Sequence, residues 1–190
     1  MLYITLFVSV FYVTLALSKN FKEKVEPKKK EVVKEVIKEE KEVETIKLPY
    51  QGNNITIGRG YYDYKKTKDE NKNSITYFND TYMQNSGIDY VSQNIFNVQS
   101  IMKGTVLDVK EDENIGKIIE IKHDNNYISV YEGLSETSVK KGDFVSAGMI
   151  IGKSGTNKVD ESLGNHLHFE LYIDGSIVNP EEYLGKEIKE

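Results

Sequence analysis

Gly164-Asn165-His166-Leu167-His168-Phe169-Glu170-Leu171 is the stretch of this 190-residue chain on which the fold reading turns. Successive side chains on a β-strand point to opposite faces, so His166 and His168 share one face while Leu167 and Phe169 point into a core. Two imidazoles on one side of a rigid strand suit a metal ligand standing beside an acid–base group. Two ordinary surface histidines would leave the same letters, so the surrounding sequence has to decide.

Working outward, short apolar runs separated by turn signals predict strands over 101–109, 116–123, 127–132, 148–153 and 166–173, which is the pattern of an all-β domain built from hairpins. Asp174-Gly175 is a two-residue hairpin turn, and Asp124-Asn125-Asn126 marks another. The apolar fraction of 38% is enough for one core, and the length gives room for one globular domain plus appendages rather than a two-domain enzyme. The formal net charge is -5 and no basic stripe with interleaved aromatics occurs in the second half, which sets nucleic acid aside as a partner. There is no cysteine, so a strong metal site would have to be made from His, Asp or Glu, and the only histidines are His123, His166 and His168.

The first half carries appendages. Residues 2–17 (LYITLFVSVFYVTLAL) are uncharged, short for a membrane span and long for a signal-peptide core. With no basic region before them, 1–18 is read as an uncleaved transmembrane anchor. Residues 19–47 are dominated by Lys and Glu and are read as a charged linker. It has the spacing of a solvated helix at Glu31, Lys34, Glu35 and Lys38, with a narrow stripe of Val32, Val33, Val36 and Ile37. Residues 48–81 form a polar lead-in, expected to give one strand at Tyr61, Tyr62 and Tyr64, an exposed lysine- and asparagine-rich loop, and a second strand at Tyr77 and Phe78, both on the domain's edge. Residues 82–185 are the main domain.

Further segments surround the histidine motif: Asn85-Ser86-Gly87-Ile88-Asp89-Tyr90 and Val130-Tyr131-Glu132-Gly133-Leu134-Ser135 upstream, the Gly-rich pair around Gly142-Asp143 and Gly148 to Gly155, and Asn179-Pro180-Glu181-Glu182-Tyr183-Leu184 downstream. In this order they make the region from Tyr82 to Leu184 similar to the lysostaphin/LytM-type zinc metallopeptidases. The resemblance implies their antiparallel β fold, of the duplicated-hybrid-motif kind. In active members zinc is held by a first-motif His, the Asp four residues on, and the second His of the HxH pair. Those positions fall here on Asn85, Asp89 and His168. The family's catalytic histidines fall on His166 and Gly133.

The resemblance therefore implies a relic site of Asn85, Asp89, Gly133, His166 and His168, with Asp89 and His168 the only metal candidates, no catalytic residue, and no zinc or other cofactor expected. His123 matches a strand-end histidine outside the metal shell. By the same resemblance the chain is expected to be a pseudoenzyme scaffold of sporulation. Its domain would face the space between forespore and mother cell and bind a stage III sporulation protein AH-like membrane protein in an intercellular channel. The lysines at 19, 22 and 24 would by the positive-inside rule leave that domain in the cytoplasm, opposite to what the resemblance implies. An amidase activator, a passive peptidoglycan binder and a working zinc endopeptidase remain as alternatives.

Overall fold

The computed structural model describes residues 44–188, so the expected anchor and the linker up to residue 43 lie outside the described residues. Among the described residues, no helix is long and apolar enough to cross a membrane. Thirteen strands are found there: β1 (Tyr50–Gln51), β2 (Thr56–Arg59), β3 (Ile75–Phe78), β4 (Thr81–Gln84), β5 (Ile88–Val91), β6 (Asn97–Gln99), β7 (Gly104–Asp112), β8 (Gly116–His123), β9 (Tyr127–Thr137), β10 (Phe144–Val145), β11 (Ile150–Ser154), β12 (His166–Ile173) and β13 (Ser176–Val178). Two short 3-10 turns, Glu161–Leu163 and Pro180–Glu182, complete the set.

All strand pairs are antiparallel. The main sheet runs β1-β6-β11-β9-β12-β5-β2, β8 and β7 continue it from the other edge of β9, and β3 and β4 form a separate hairpin. The alternation of the histidine motif holds as expected: Leu167, Phe169 and Leu171 are fully buried in the core with Ile88, Ile119, Ile121 and Tyr131. The rings of Tyr131 and Phe169 pack 5.2 Å apart. The hairpin turns fall where the sequence put them, with left-handed backbone at Asn125, Asn126, Asp174 and Gly175.

Several boundaries differ from the sequence reading. The lead-in strand lies at β2 rather than at Tyr61 to Tyr64. β2 carries a glycine where a Cβ at Gly58 would stand 2.5 Å from Val91 Cγ1, so it lies tight against β5, whereas Tyr64 sits in an exposed turn. β7 starts at Gly104, because Ile101 and Met102 are buried in an irregular segment. β9 continues to Thr137. Ile46, inside the span read as a solvated linker, is 1% exposed and belongs to the core. Its N–H donates to the Lys186 carbonyl and its carbonyl accepts from the Gly185 N–H.

His123 lies inside the fold, away from the histidine motif. Its Nδ1 donates to the Lys103 carbonyl at 2.9 Å, and its Nε2 is 2.7 Å from Ser129 Oγ. Ser129 Oγ lies 3.2 Å from the Tyr131 hydroxyl, which accepts from the Ile101 N–H. Protons can be placed along this chain in one consistent way: Tyr131 donates to Ser129, and Ser129 donates to His123. Burial pushes the His123 pKa down, only partly opposed by the Lys103 carbonyl and Asp124, and it raises that of the Tyr131 phenol to about 12.

Two outcomes are expected. Ser129→Ala leaves His123 Nε2 without a donor and should cost about 1–3 kcal/mol in urea unfolding. His123 binds its proton less readily folded than unfolded, so its contribution to stability is complete above the unfolded value of about 6.5 and is lost as pH falls from there toward the lower folded value. Unfolding curves at successive pH values should show this fall, and it should shrink in His123→Gln.

Candidate functional site

The five positions singled out in the sequence converge at one place on the sheet. β12 lies between β5 and β9, so His168 is the cross-strand neighbour of Asp89 on one side and of Glu132 on the other, while Arg59 on β2 is the neighbour of Asp89. Four adjacent strands thus carry Arg59, Asp89, His168 and Glu132 in a row. The charge alternates along it, an arrangement in which each cross-strand pair is attractive.

Asp89 is fully buried and both its oxygens are engaged. Oδ1 accepts from His168 Nδ1 at 2.7 Å. Oδ2 accepts from Asn85 Nδ2 at 3.2 Å and from the Arg59 guanidinium at 3.4 Å. The Asn85 amide also donates to the carbonyls of Gly60 and Gly87, each at 3.0 Å, so it turns its nitrogen side toward Asp89. The other imidazole nitrogen of His168 lies 3.4 Å from Glu170 Oε1. Glu170 in turn accepts from the hydroxyls of Ser86 and Tyr172.

The electrostatics follow from this crowding. Burial disfavours a charged His168, but its hydrogen bonds to Asp89 and Glu170 and the nearby carboxylates outweigh that and raise its pKa to about 10. Burial acts to raise the Glu170 pKa, yet the bonds from His168, Ser86 and Tyr172 hold it below the usual carboxylate range. Glu132 goes the other way, raised chiefly by burial.

His166 is fully buried. Its Nδ1 donates to the Gly164 carbonyl at 2.8 Å, and its Nε2 accepts from Asn157 Nδ2 at 3.1 Å. Gly133 faces it: a Cβ there would stand 3.6 Å from His166 Nε2 and 3.5 Å from Asn157 Nδ2. The glycine has a second reason to be present. At Gly133 β9 leaves β12, its last pair there being Glu132 with His168, and joins β11 through Leu134 and Ser154, and the bend is made at φ 77°.

Sequence reading missed Arg59, Asp160, Asn157 and Glu132 as members of this site. Arg59 bridges Asp89 on β5, Asp160 in the segment before the first 3-10 turn, and Thr76 Oγ1 on the hairpin, the last at 2.6 Å. Asp160 also accepts from Thr76 Oγ1, and its backbone N–H donates to Asn157 Oδ1. One signal was available: Arg59 is the single arginine among 25 basic residues, and a guanidinium suits a site that needs a buried, planar, multiply bonded cation. A cavity of about 340 Å³ opens over this row, lined among others by Phe78, Met83, Asn85, Glu132, Asp160 and His168.

Zinc would need three strong donors and an open position. Asp89, Asp160 and His166 place one potential ligand atom each within 4.8 Å of one another. The two carboxylates, however, already share the Arg59 guanidinium, both nitrogens of His168 face carboxylates, and Asn85 presents donors. The residues present do not fit the metal.

A curled antiparallel sheet carrying an HxH strand against an Asp-bearing strand defines a class, and the comparison with known families agrees with it. Residues 83–180 match the model of Peptidase family M23, and the chain belongs to that family. Over 151 residues it is 33% identical to stage II sporulation protein Q of Bacillus subtilis (strain 168), covering 78% of this chain and 53% of that protein, so it spans about half the relative's length. Two solved structures are similar. One is the pore-forming complex of SpoIIQ and SpoIIIAH, with TM-score 0.73, 33% identity, and coverage of 77% of this chain and 94% of that one. The other is a further crystal structure of the SpoIIIAH and SpoIIQ complex, with TM-score 0.68, 34% identity, and coverage of 71% and 96%.

The glycines of the site should differ in tolerance. Gly133→Ala has room but must adopt a left-handed backbone, at about 1–2 kcal/mol. Gly87→Ala would drive a Cβ to 2.2 Å from the Phe169 carbonyl oxygen, and should cost about 3 kcal/mol or more. Urea unfolding of the two variants should give that order.

Proposed function

We propose that this chain is a binding member of peptidase family M23 that does not cleave peptides, and that it works in sporulation by engaging a membrane protein of the SpoIIIAH type. The observation that carries the reading is the internal saturation of the site. Metal-assisted peptide hydrolysis requires a zinc-activated water and groups that move protons to the leaving amine. Here the candidate ligands are spent on one another and on Arg59, and Asn85 and Gly133 stand where the resemblance puts a ligand and a catalytic imidazole.

The partner follows from the similarity to SpoIIQ chains solved together with SpoIIIAH, which extends over nearly the whole of those chains. A domain that keeps its strands while its chemistry is closed off is retained for its surfaces. The anchor at residues 2–17 and the charged linker would hold those surfaces outside the forespore membrane, facing a partner from the opposite membrane. In this arrangement the domain serves as a scaffold for an intercellular channel.

A second reading, a passive peptidoglycan binder, draws on one observation. A groove of about 960 Å³ is lined by Gln51, Asn53, Asn54, Gln93, Asn94 and Asn165, amides suited to the hydroxyl and amide groups of a glycan–peptide polymer.

Affinity capture from sporulating cells separates the two. Recovery of a SpoIIIAH-type protein supports the first reading; recovery of wall fragments alone supports the second. Zinc-dependent release of peptide from peptidoglycan that His168→Ala abolishes would overturn both. The paired change Asp89→Asn with His168→Gln should leave partner affinity within about tenfold, or roughly 1.4 kcal/mol, as read by calorimetry. Deletion of 2–17 should abolish function in cells while leaving binding in solution intact.

A further inference from the structure

We infer that Arg59 is this chain's built-in replacement for a metal ion: a tethered cation that neutralises the Asp89 and Asp160 carboxylates, ties the surrounding strands together and closes the position to zinc. The inference is independent of the identity of any partner, so failure to capture one leaves it standing.

The geometry carries it. Asp89, Asp160 and His166 are all buried, and their ligand atoms approach within 4.8 Å, the spacing at which a divalent cation would be held. Two buried carboxylates this close repel each other and require a positive charge between them. That charge is present. Arg59 is only 12% exposed at its side chain and contacts both carboxylates. The remaining donor of the trio, His166 Nε2, is taken by Asn157, whose side-chain Oδ1 also accepts from the Asp160 backbone N–H.

A metal ion in such a place would cross-link whatever chain segments supply its ligands, and Arg59 does the same work with hydrogen bonds. It joins β2 to β5 through Asp89, to the segment before Glu161–Leu163 through Asp160, and to the separate β3–β4 hairpin through Thr76. Among the described residues, no strand pairing joins β2, the hairpin and the Asp160 segment to one another. β2 is the edge of the main sheet and β3–β4 pairs only with itself. All three contacts are made by one guanidinium nitrogen, Nη1, which stands one atom further from the backbone than a lysine ammonium, so a lysine could supply the charge but from a shorter reach.

The test uses the full chain in detergent, with two readouts: zinc retained after incubation and gel filtration, and the thermal unfolding midpoint with zinc or with chelator. Wild type should retain no stoichiometric zinc and keep one midpoint under both conditions. Arg59→Met should lower the midpoint by about 5 °C or more. Arg59→Met combined with Asn85→His, which removes the tethered cation and adds an imidazole, should retain zinc and regain part of the lost midpoint when zinc is added. Should Arg59→Met fail to fold, Arg59→Lys serves: it should fold with a midpoint below wild type and still exclude zinc. One zinc per wild-type chain that Asp89→Ala abolishes overturns the inference. So does a wild-type midpoint in Arg59→Met or Arg59→Lys.

Discussion

The constraint on which the site depends is the burial of the Asp89 carboxylate. A charge with no exposure must be met by partners on every side, and the unpaired cost in a protein interior is several kcal/mol. Each neighbour of Asp89 answers that requirement. His168 stands opposite it on β12, Arg59 on β2 and the Asn85 amide beside it. These partners impose demands in turn: the imidazole needs Glu170, Glu170 draws in Ser86 and Tyr172, and Arg59 draws in Asp160 and Thr76. Among the described residues no buried side-chain polar atom is left without a partner. The polar interior is a closed system of bonds, which is how a cluster of charges persists where a metal or water would otherwise be needed.

The sheet makes this possible because it supplies register. On adjacent antiparallel strands, facing positions are set by the backbone ladder and need no side-chain adjustment. Once Phe169 and Leu167 are committed to the core, His168 has to face Asp89 and Glu132. Core packing and site geometry are therefore one decision. A slip of one residue would turn the imidazoles toward Ile88, Ile119 and Tyr131 and the Phe169 ring toward Asp89 and Glu132.

What could be read from the sequence divides along the same line. Elements governed by local alternation were legible: β8 and β12 were bounded as found, and the clustering of Asn85, Asp89, Gly133, His166 and His168 followed from ordered motifs. Features that depend on contacts between distant segments were not. Arg59 meets Asp89 across 30 positions and Asp160 across 101, and nothing near Arg59 in the chain announces either. Ile46 shows the limit of composition. It is one of several scattered apolar residues in a run of Lys and Glu, and only its docking against Lys186 and Gly185 reveals that the folded domain has already begun.

That docking has a mechanical meaning. Glu44 to Lys47 is held by a close set of bonds: the Ile188 N–H to the Glu44 carbonyl, the Ile46 exchanges with Gly185 and Lys186, the Lys47 N–H to Ile101, and the ion pair of Glu44 with Lys103. Any tension transmitted along the preceding chain enters the domain here. Several bonds arranged along one short strand-like segment share such a load and fail together, whereas bonds met one at a time fail in sequence. The segment around residue 186 thus acts as a clasp over the point where the described chain enters the domain. A pull on Glu44 would load these bonds before any on the strands that carry the charged row.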